Sequence, residues 1–305
     1  MTPTAAVAVP RPPNRLTLGA FVLLIIIGGG NAVAIRFSNQ ELPPFWGATL
    51  RIGAAALVFV VTMILMRAPI PRGRGLVGAL IYGSLGFGLS YALIYWALLS
   101  VGAGLAQVVL ALVPLLTLGL AIAHGLEPFR IRALAGALLA LAGIAVVFGA
   151  QAAGSLPFWP VVALIAGGAC IAETTIAIKW FPQSHPAALN AIGMVTGTVI
   201  LLVISAIAGE QWLLPTLANT WIALVFLVLV GSVGVFALFV FVVRRWTASA
   251  TSYQFVLYPF VAIALGAALA NESVSAVFLI GGALVLAGVY VGAFTGARSK
   301  AALSR

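Results

Sequence analysis

Apolar residues in this chain do not alternate with polar ones; they run in blocks of about twenty, separated by short clusters of proline, glycine and charge. A helix rises about 1.5 Å per residue and the hydrocarbon core of a bilayer is about 30 Å thick, so each such block predicts one membrane-spanning helix. Ten blocks qualify, roughly 16–36, 45–66, 76–98, 103–124, 131–150, 157–179, 187–208, 219–243, 248–270 and 274–295. The breaks fall at Pro43 and Pro44, at the run from Arg67 to Arg74, at Glu127 and Pro128, at Pro182 and Pro186, and at Pro215. The connecting segments are too short for a soluble domain. The expected fold is an all-α membrane protein of ten transmembrane helices.

Composition agrees. Of 305 residues, 63% are hydrophobic and only 7% are charged, with a mean hydropathy of +1.22. A soluble domain carries about 25% charged residues to keep its surface wet; here the surrounding solvent must be hydrocarbon. A net charge of +10 would suit a nucleic-acid partner, but the basic residues cluster where spans end. With the N-terminus inside, the inner group holds Arg11, Arg15, Arg67, Arg72, Arg74, Arg130, Arg132, Lys179, Arg244, Arg245, Arg298, Lys300 and Arg305, leaving only Arg36 and Arg51 elsewhere. Basic residues concentrate on the cytoplasmic side, so both termini are expected in the cytoplasm and no nucleic acid is expected as partner. The first block is too long for the core of a signal peptide and is read as a span. The single cysteine, Cys170, lies in an apolar run and rules out an internal disulfide framework.

The chain also repeats itself. Pro114 and Glu127 lie 13 residues apart, as do Pro259 and Glu272, and each Glu is followed by a matching stretch, Gly136 to Gly143 and Gly281 to Gly288. Gly83-Ser-Leu-Gly86 pairs with Gly231-Ser-Val-Gly234, and Pro44 with Pro186. The division is a cytoplasmic tail over 1–15, a five-helix repeat over 16–150, a second over 151–296, and a cytoplasmic tail over 297–305. Five is odd, so the second copy enters the membrane from the opposite side, an arrangement common in secondary transporters. With its five-plus-five plan, its Pro…Glu spacing, its Gly-rich fifth helices and the Pro-Pro-Phe…Leu-Arg stretch from Pro43 to Arg51, the chain resembles the drug/metabolite transporter superfamily, in its ten-helix branch with paired EamA-type repeats. The resemblance spans about 16–296 and looks most like the amino-acid exporter branch. It implies a secondary carrier in the cytoplasmic membrane that exports amino acids or related metabolites, but no motif fixes the substrate. Where the first repeat has Arg51, the second has Gly193 at the equivalent spacing, so any site is asymmetric.

Two ionisable residues lie inside spans, Arg51 and Glu173. Each costs about 2.5–3.5 kcal/mol on insertion scales and needs a reason. Each is six residues from its own face, so their depths differ by roughly 12 Å and a direct ion pair is not expected. Arg51 either binds a substrate carboxylate or snorkels to the outer headgroups. Glu173 either binds an ammonium or a proton, or hydrogen-bonds Thr174, Thr175 or Lys179 at an inner gate. Neutral candidates for the cavity are Asn31, Tyr82, Tyr91, Gln107, Tyr253, Gln254 and Tyr258. Tyr91 shares a helical face with Ser84, Gly88 and Tyr95, and Tyr95 and Trp96 fall near the outer aromatic belt. Gly28, Gly86, Gly88, Gly231 and Gly234, with Pro114 and Pro259, are the candidate hinges and close-contact points.

A mostly apolar cavity with sparse polar anchors favours neutral, hydrophobic or aromatic amino acids; a phosphate carrier would need several buried cations. No His-Glu-x-x-His, Gly-x-Ser-x-Gly or phosphate-loop pattern occurs, so an enzyme, a metal or a cofactor is not expected. Other cargo, such as another metabolite or a drug-like cation, stays open, as does a channel. The partners expected are a small-molecule substrate and the bilayer, with the single chain acting as a functional monomer.

Overall fold

The computed structural model describes residues 13–38, 41–100, 106, 109–148, 158–258, 260–261 and 276–294. Most of these residues are helical, with no strand among them. The helices are α1 (Arg15–Ser38), α2 (Pro44–Leu65), α3 (Arg74–Ala97), α4 (Val113–Ala123), α5 (Ile131–Phe148), α6 (Phe158–Trp180), α7 (Pro186–Ile207), α8 (Ala218–Arg245), α9 (Ala248–Ser252) and α10 (Ala276–Val289). Among the described residues, five are long and apolar enough to cross a membrane: α2, α3, α6, α7 and α8. Shorter apolar helices occupy the first, fourth, fifth and tenth blocks. Leu57, Ile64, Val199, Ile222 and Leu286 point outward, as a lipid-facing surface requires.

Local chemistry sets the ends. Pro44 and Pro186 open α2 and α7 in the first turn, where the missing N–H has no intrahelical partner to lose. Gly125 and Gly209, both with φ of +68°, end α4 and α7 in the left-handed conformation that glycine reaches without strain.

Three features depart from the expectation of uninterrupted α-helices. α3 widens into a π-helical stretch at Ser84–Leu89, α8 does so at Leu229–Gly234, and α10 runs on into a third at Tyr290–Phe294. The first two fall on the paired Gly-Ser-x-Gly motifs. The ninth block breaks at Tyr253, with 254–258 helical again. The fourth has a turn at 111–112 before Pro114, which sits in the first turn of α4.

The glycines of the fifth helices meet each other. A Cβ on Gly136 would strike Gly292 Cα (2.5 Å) and Gly288 O (2.6 Å), and one on Gly143 would strike Gly281 O (2.6 Å). Early residues of α5 thus meet late residues of α10, so these equivalent helices cross antiparallel. Gly83 of α3 likewise lies against the backbone of Gly193 in α7.

Candidate functional site

Residues of both halves converge where α1, α2 and α3 face the π-helical stretch of α8. Arg51 is only 3% exposed. Its Nε donates to Ser232 Oγ at 2.9 Å and its Nη2 to Gly231 O at 3.0 Å. The guanidinium lies over the Tyr91 ring, 5.6 Å from the centroid, a placement that stabilises a desolvated cation. Asn31 Nδ2 donates to the same Gly231 carbonyl at 3.1 Å. The π-helical turn explains why that carbonyl is available, since i→i+5 bonding disrupts the i→i−4 ladder. In the first half the corresponding motif is satisfied internally, with Ser90 Oγ donating to Gly86 O at 2.7 Å.

Arg51 does not snorkel. Two of its five N–H donors are fixed on the second half, and Nη1 makes no hydrogen bond among the described residues. Tyr95, expected in the outer belt, is instead buried and stacks on Tyr91 with centroids 5.9 Å apart; Trp96 is the exposed one of the pair. Phe87 continues the aromatic row, 6.5 Å from Tyr91 and 4.6 Å from Phe236 of α8. The α-helical face drawn from Ser84 to Tyr95 is displaced by the π turn: Gly86 points at Thr174 and Gly88 at Ile200.

Tyr258 reaches the same region from α9's continuation. Its ring lies against Gly28 of α1, where any larger residue would collide, and its hydroxyl donates to the buried Gln254 at 3.0 Å. Gly231 lies under the Asn31 side chain, whereas Gly234 makes no close approach. Gln107 and Pro259, and with them Glu272, lie outside the described residues.

Three other candidates make their polar contacts away from Arg51, although the Tyr82 ring packs edge-on against Phe87 with centroids 5.2 Å apart. Tyr82 is fully buried and donates to Asn190 Oδ1 at 2.8 Å, tying α3 to α7. Tyr253 packs against Gly292, with its hydroxyl 3.4 Å from Ala133 O. Glu173 sits near the other end of the bundle, 3.3 Å from His124 Nε2. Two of the partners expected for it are engaged elsewhere, because Thr174 and Thr175 donate to their own helix at Cys170 O and Ile171 O. Sequence reasoning missed Ser232, Asn190 and Phe87. Asn190 is a buried amide within a span, the criterion that selected Gln107, and Ser232 lay in a motif already singled out as a repeat. Among the described residues no group of three His, Cys, Asp or Glu is placed to hold a metal ion.

Comparison with known proteins follows the same two-part plan. The EamA-like transporter family matches residues 16–149 and again 158–293. The "Uncharacterized inner membrane transporter YedA" of Escherichia coli K12 is 30% identical over 277 residues, covering 90% of this chain and 89% of that protein. The "Uncharacterized transporter YoaV" of Bacillus subtilis strain 168 is 22% identical over 297 residues, covering 94% and 99%. A solved crystal structure superposes with a TM-score of 0.78 at 19% identity, over 93% of this chain and 99% of that one; it shares the fold.

Proposed function

Because the chain belongs to the EamA-like transporter family, we propose that this membrane transporter is a secondary carrier exporting neutral, hydrophobic or aromatic amino acids and related small metabolites across the cytoplasmic membrane. The carrier has ten spans in two inverted halves, both termini in the cytoplasm, and a site between the halves that faces each side in turn. The antiparallel crossing of α5 and α10 supports the inversion, and the inner clustering of basic residues supports the orientation.

The observation that carries the substrate class is the posture of Arg51. A guanidinium can take a carboxylate through two parallel N–H groups. Here Nε and one Nη2 donor are held by the π turn of α8, Nη1 makes no hydrogen bond among the described residues, and the guanidinium lies over the Tyr91 ring. The cation is therefore fixed in place with donors remaining for a carboxylate, and the aromatic row supplies a wall for an apolar or aromatic side chain. Among the described residues within the spans Arg51 is the one such cation, which fits a single carboxylate rather than a phosphate. Asn31 orients the shared Gly231 carbonyl, and Tyr258 with Gln254 closes the site from α9.

The test is ligand stabilisation of the purified protein. A ligand at a hundredfold excess over its Kd adds about 2.7 kcal/mol, a rise of several degrees in Tm for a chain of this size. Leucine or phenylalanine should produce that rise and their carboxamides should not, and Arg51→Met should abolish it. Equal stabilisation by the carboxamides would remove Arg51 from substrate recognition.

A further inference from the structure

Two carboxylates that the transport reading leaves without a role sit at the face opposite the basic loops. Glu41 lies in the turn between α1 and α2, and Glu210 in the loop between α7 and α8. The first amides of a helix lack intrahelical acceptors, and an anion there also meets the positive end of the helix dipole. Two of the helices that start at this face, α2 and α8, do not cap themselves: Pro43 before α2 and Leu217 before α8 make no side-chain cap. Each is capped by the other half instead. Glu210 accepts from the amides of Phe45 at 3.0 Å and Trp46 at 2.7 Å, both in the first turn of α2. Glu41 accepts from the amides of Thr216 at 3.1 Å and Leu217 at 3.2 Å, and from the Thr216 hydroxyl at 2.6 Å, where α8 begins.

The surroundings reinforce the exchange. Ser205 Oγ donates to Glu210 at 2.7 Å and accepts from Trp212 Nε1 at 3.2 Å. Trp212 stacks on Trp46 at 5.6 Å, and Trp46 Nε1 donates to Leu213 O at 2.7 Å. The opposite face is built differently. α7, the repeat counterpart of α2, is capped by its own His185, whose Nδ1 accepts from Ala187 N at 3.2 Å. α3, the counterpart of α8, starts after Gly73 with no side-chain cap. Among the described residues, a carboxylate that joins the halves at that face is Glu127, which accepts from the amide and hydroxyl of Ser249 at 3.1 and 2.9 Å.

We propose that Glu41 and Glu210 form a reciprocal outer latch, each closing the outer side by capping a helix of the opposite half, and that both release their helix starts when the site opens outward. The latch rests on the alternating-access reading given above. Its bonds lie where water can replace them, whereas the Arg51 bonds are buried, so the outer face parts while Arg51 keeps its place. The pairing also makes the outer closure cooperative, because separating the halves breaks both caps together.

Two measurements on the full-length protein decide it. In a Cys170→Ala background, Glu41→Cys with Thr216→Cys can be joined by a short bis-methanethiosulfonate, each thiol displacing one methanesulfinate to form a reducible disulfide, since the native side chains touch. Leucine and phenylalanine flux in proteoliposomes should fall at least tenfold on cross-linking and return on reduction; undiminished flux through fully cross-linked protein would overturn the latch. Separately, spin labels at Leu99→Cys and Leu214→Cys, both exposed and on opposite halves, report the outer separation without any substrate. Glu41→Ala with Glu210→Ala should add a longer-distance population that the parent protein lacks, and an unchanged distribution would overturn the latch. The second measurement stands even if amino acids prove not to be the cargo.

Discussion

Arg51 is the residue whose presence most needs a physical reason. An arginine within a span costs about 2.5–3.5 kcal/mol. Its two hydrogen bonds, at about 1.5–3 kcal/mol each for a charged donor, and the Tyr91 ring, at about 0.5–2 kcal/mol, more than offset that cost, leaving roughly 0–5 kcal/mol. Arg51→Met should therefore lower Tm by no more than about 10 °C. The same change should raise the KM for amino acids by about 10- to 100-fold, the equivalent of one lost charge-assisted bond; a melt and a concentration series on one preparation separate the two effects. Glu41, outside the spans, has its pKa lowered to about 2, the Thr216 hydroxyl being the largest cause. A depressed carboxylate contributes above its unfolded value and loses that contribution as pH falls through the folded one. The stability difference between the parent and Glu41→Gln should thus hold constant from pH 8 to about 4.5 and disappear toward pH 2. Thermal melts across that range would show it. The sequence marked Arg51 as an intramembrane charge but not what it bonds, because the acceptor is a backbone carbonyl released by a π turn that hydropathy cannot reveal.

At the scale of the helices, glycine decides which elements touch backbone to backbone. A Cβ on Gly83 would lie 2.7 Å from Gly193 Cα, with no flexible side chain there to yield. Gly83→Ala should cost about 1–3 kcal/mol by overpacking and lower Tm by several degrees. Gly119→Ala, with nothing within 4 Å, should be neutral or slightly stabilising because alanine is the better helix former. Comparable losses for the two variants would contradict the packing described. The repeat made the Gly136 and Gly281 stretches visible in the sequence, but not that they pack on each other. Likewise the stacking of Tyr91 on Tyr95 follows the α-helical period, but Ser84 and Gly88 were joined to that face across the stretch Ser84–Leu89, which does not follow it.

For the whole molecule, block length and loop position made the helical membrane class readable, since a bilayer imposes both directly. The self-similarity around Pro114 and Pro259 marked the two halves, which the family match spans in turn. The ties between those halves were not readable. Glu41, Glu210 and Glu127 act on helix starts more than a hundred residues away, and Glu173 meets His124 from a different half. Such pairings depend on which loops meet, and no local pattern encodes that. The asymmetry was partly visible: Gly193 stands where the first half has Arg51, and in the structure α7 lies directly on α3 while α2 reaches α8 through a long side chain. The central claim, an amino-acid carrier, is tested most directly by uptake of labelled amino acids into proteoliposomes, with and without the same amino acid on the far side. Saturable uptake of neutral and aromatic amino acids, accelerated by substrate across the membrane, is the expected result; no uptake by well-folded protein, or a linear flux indifferent to the far side, would contradict it.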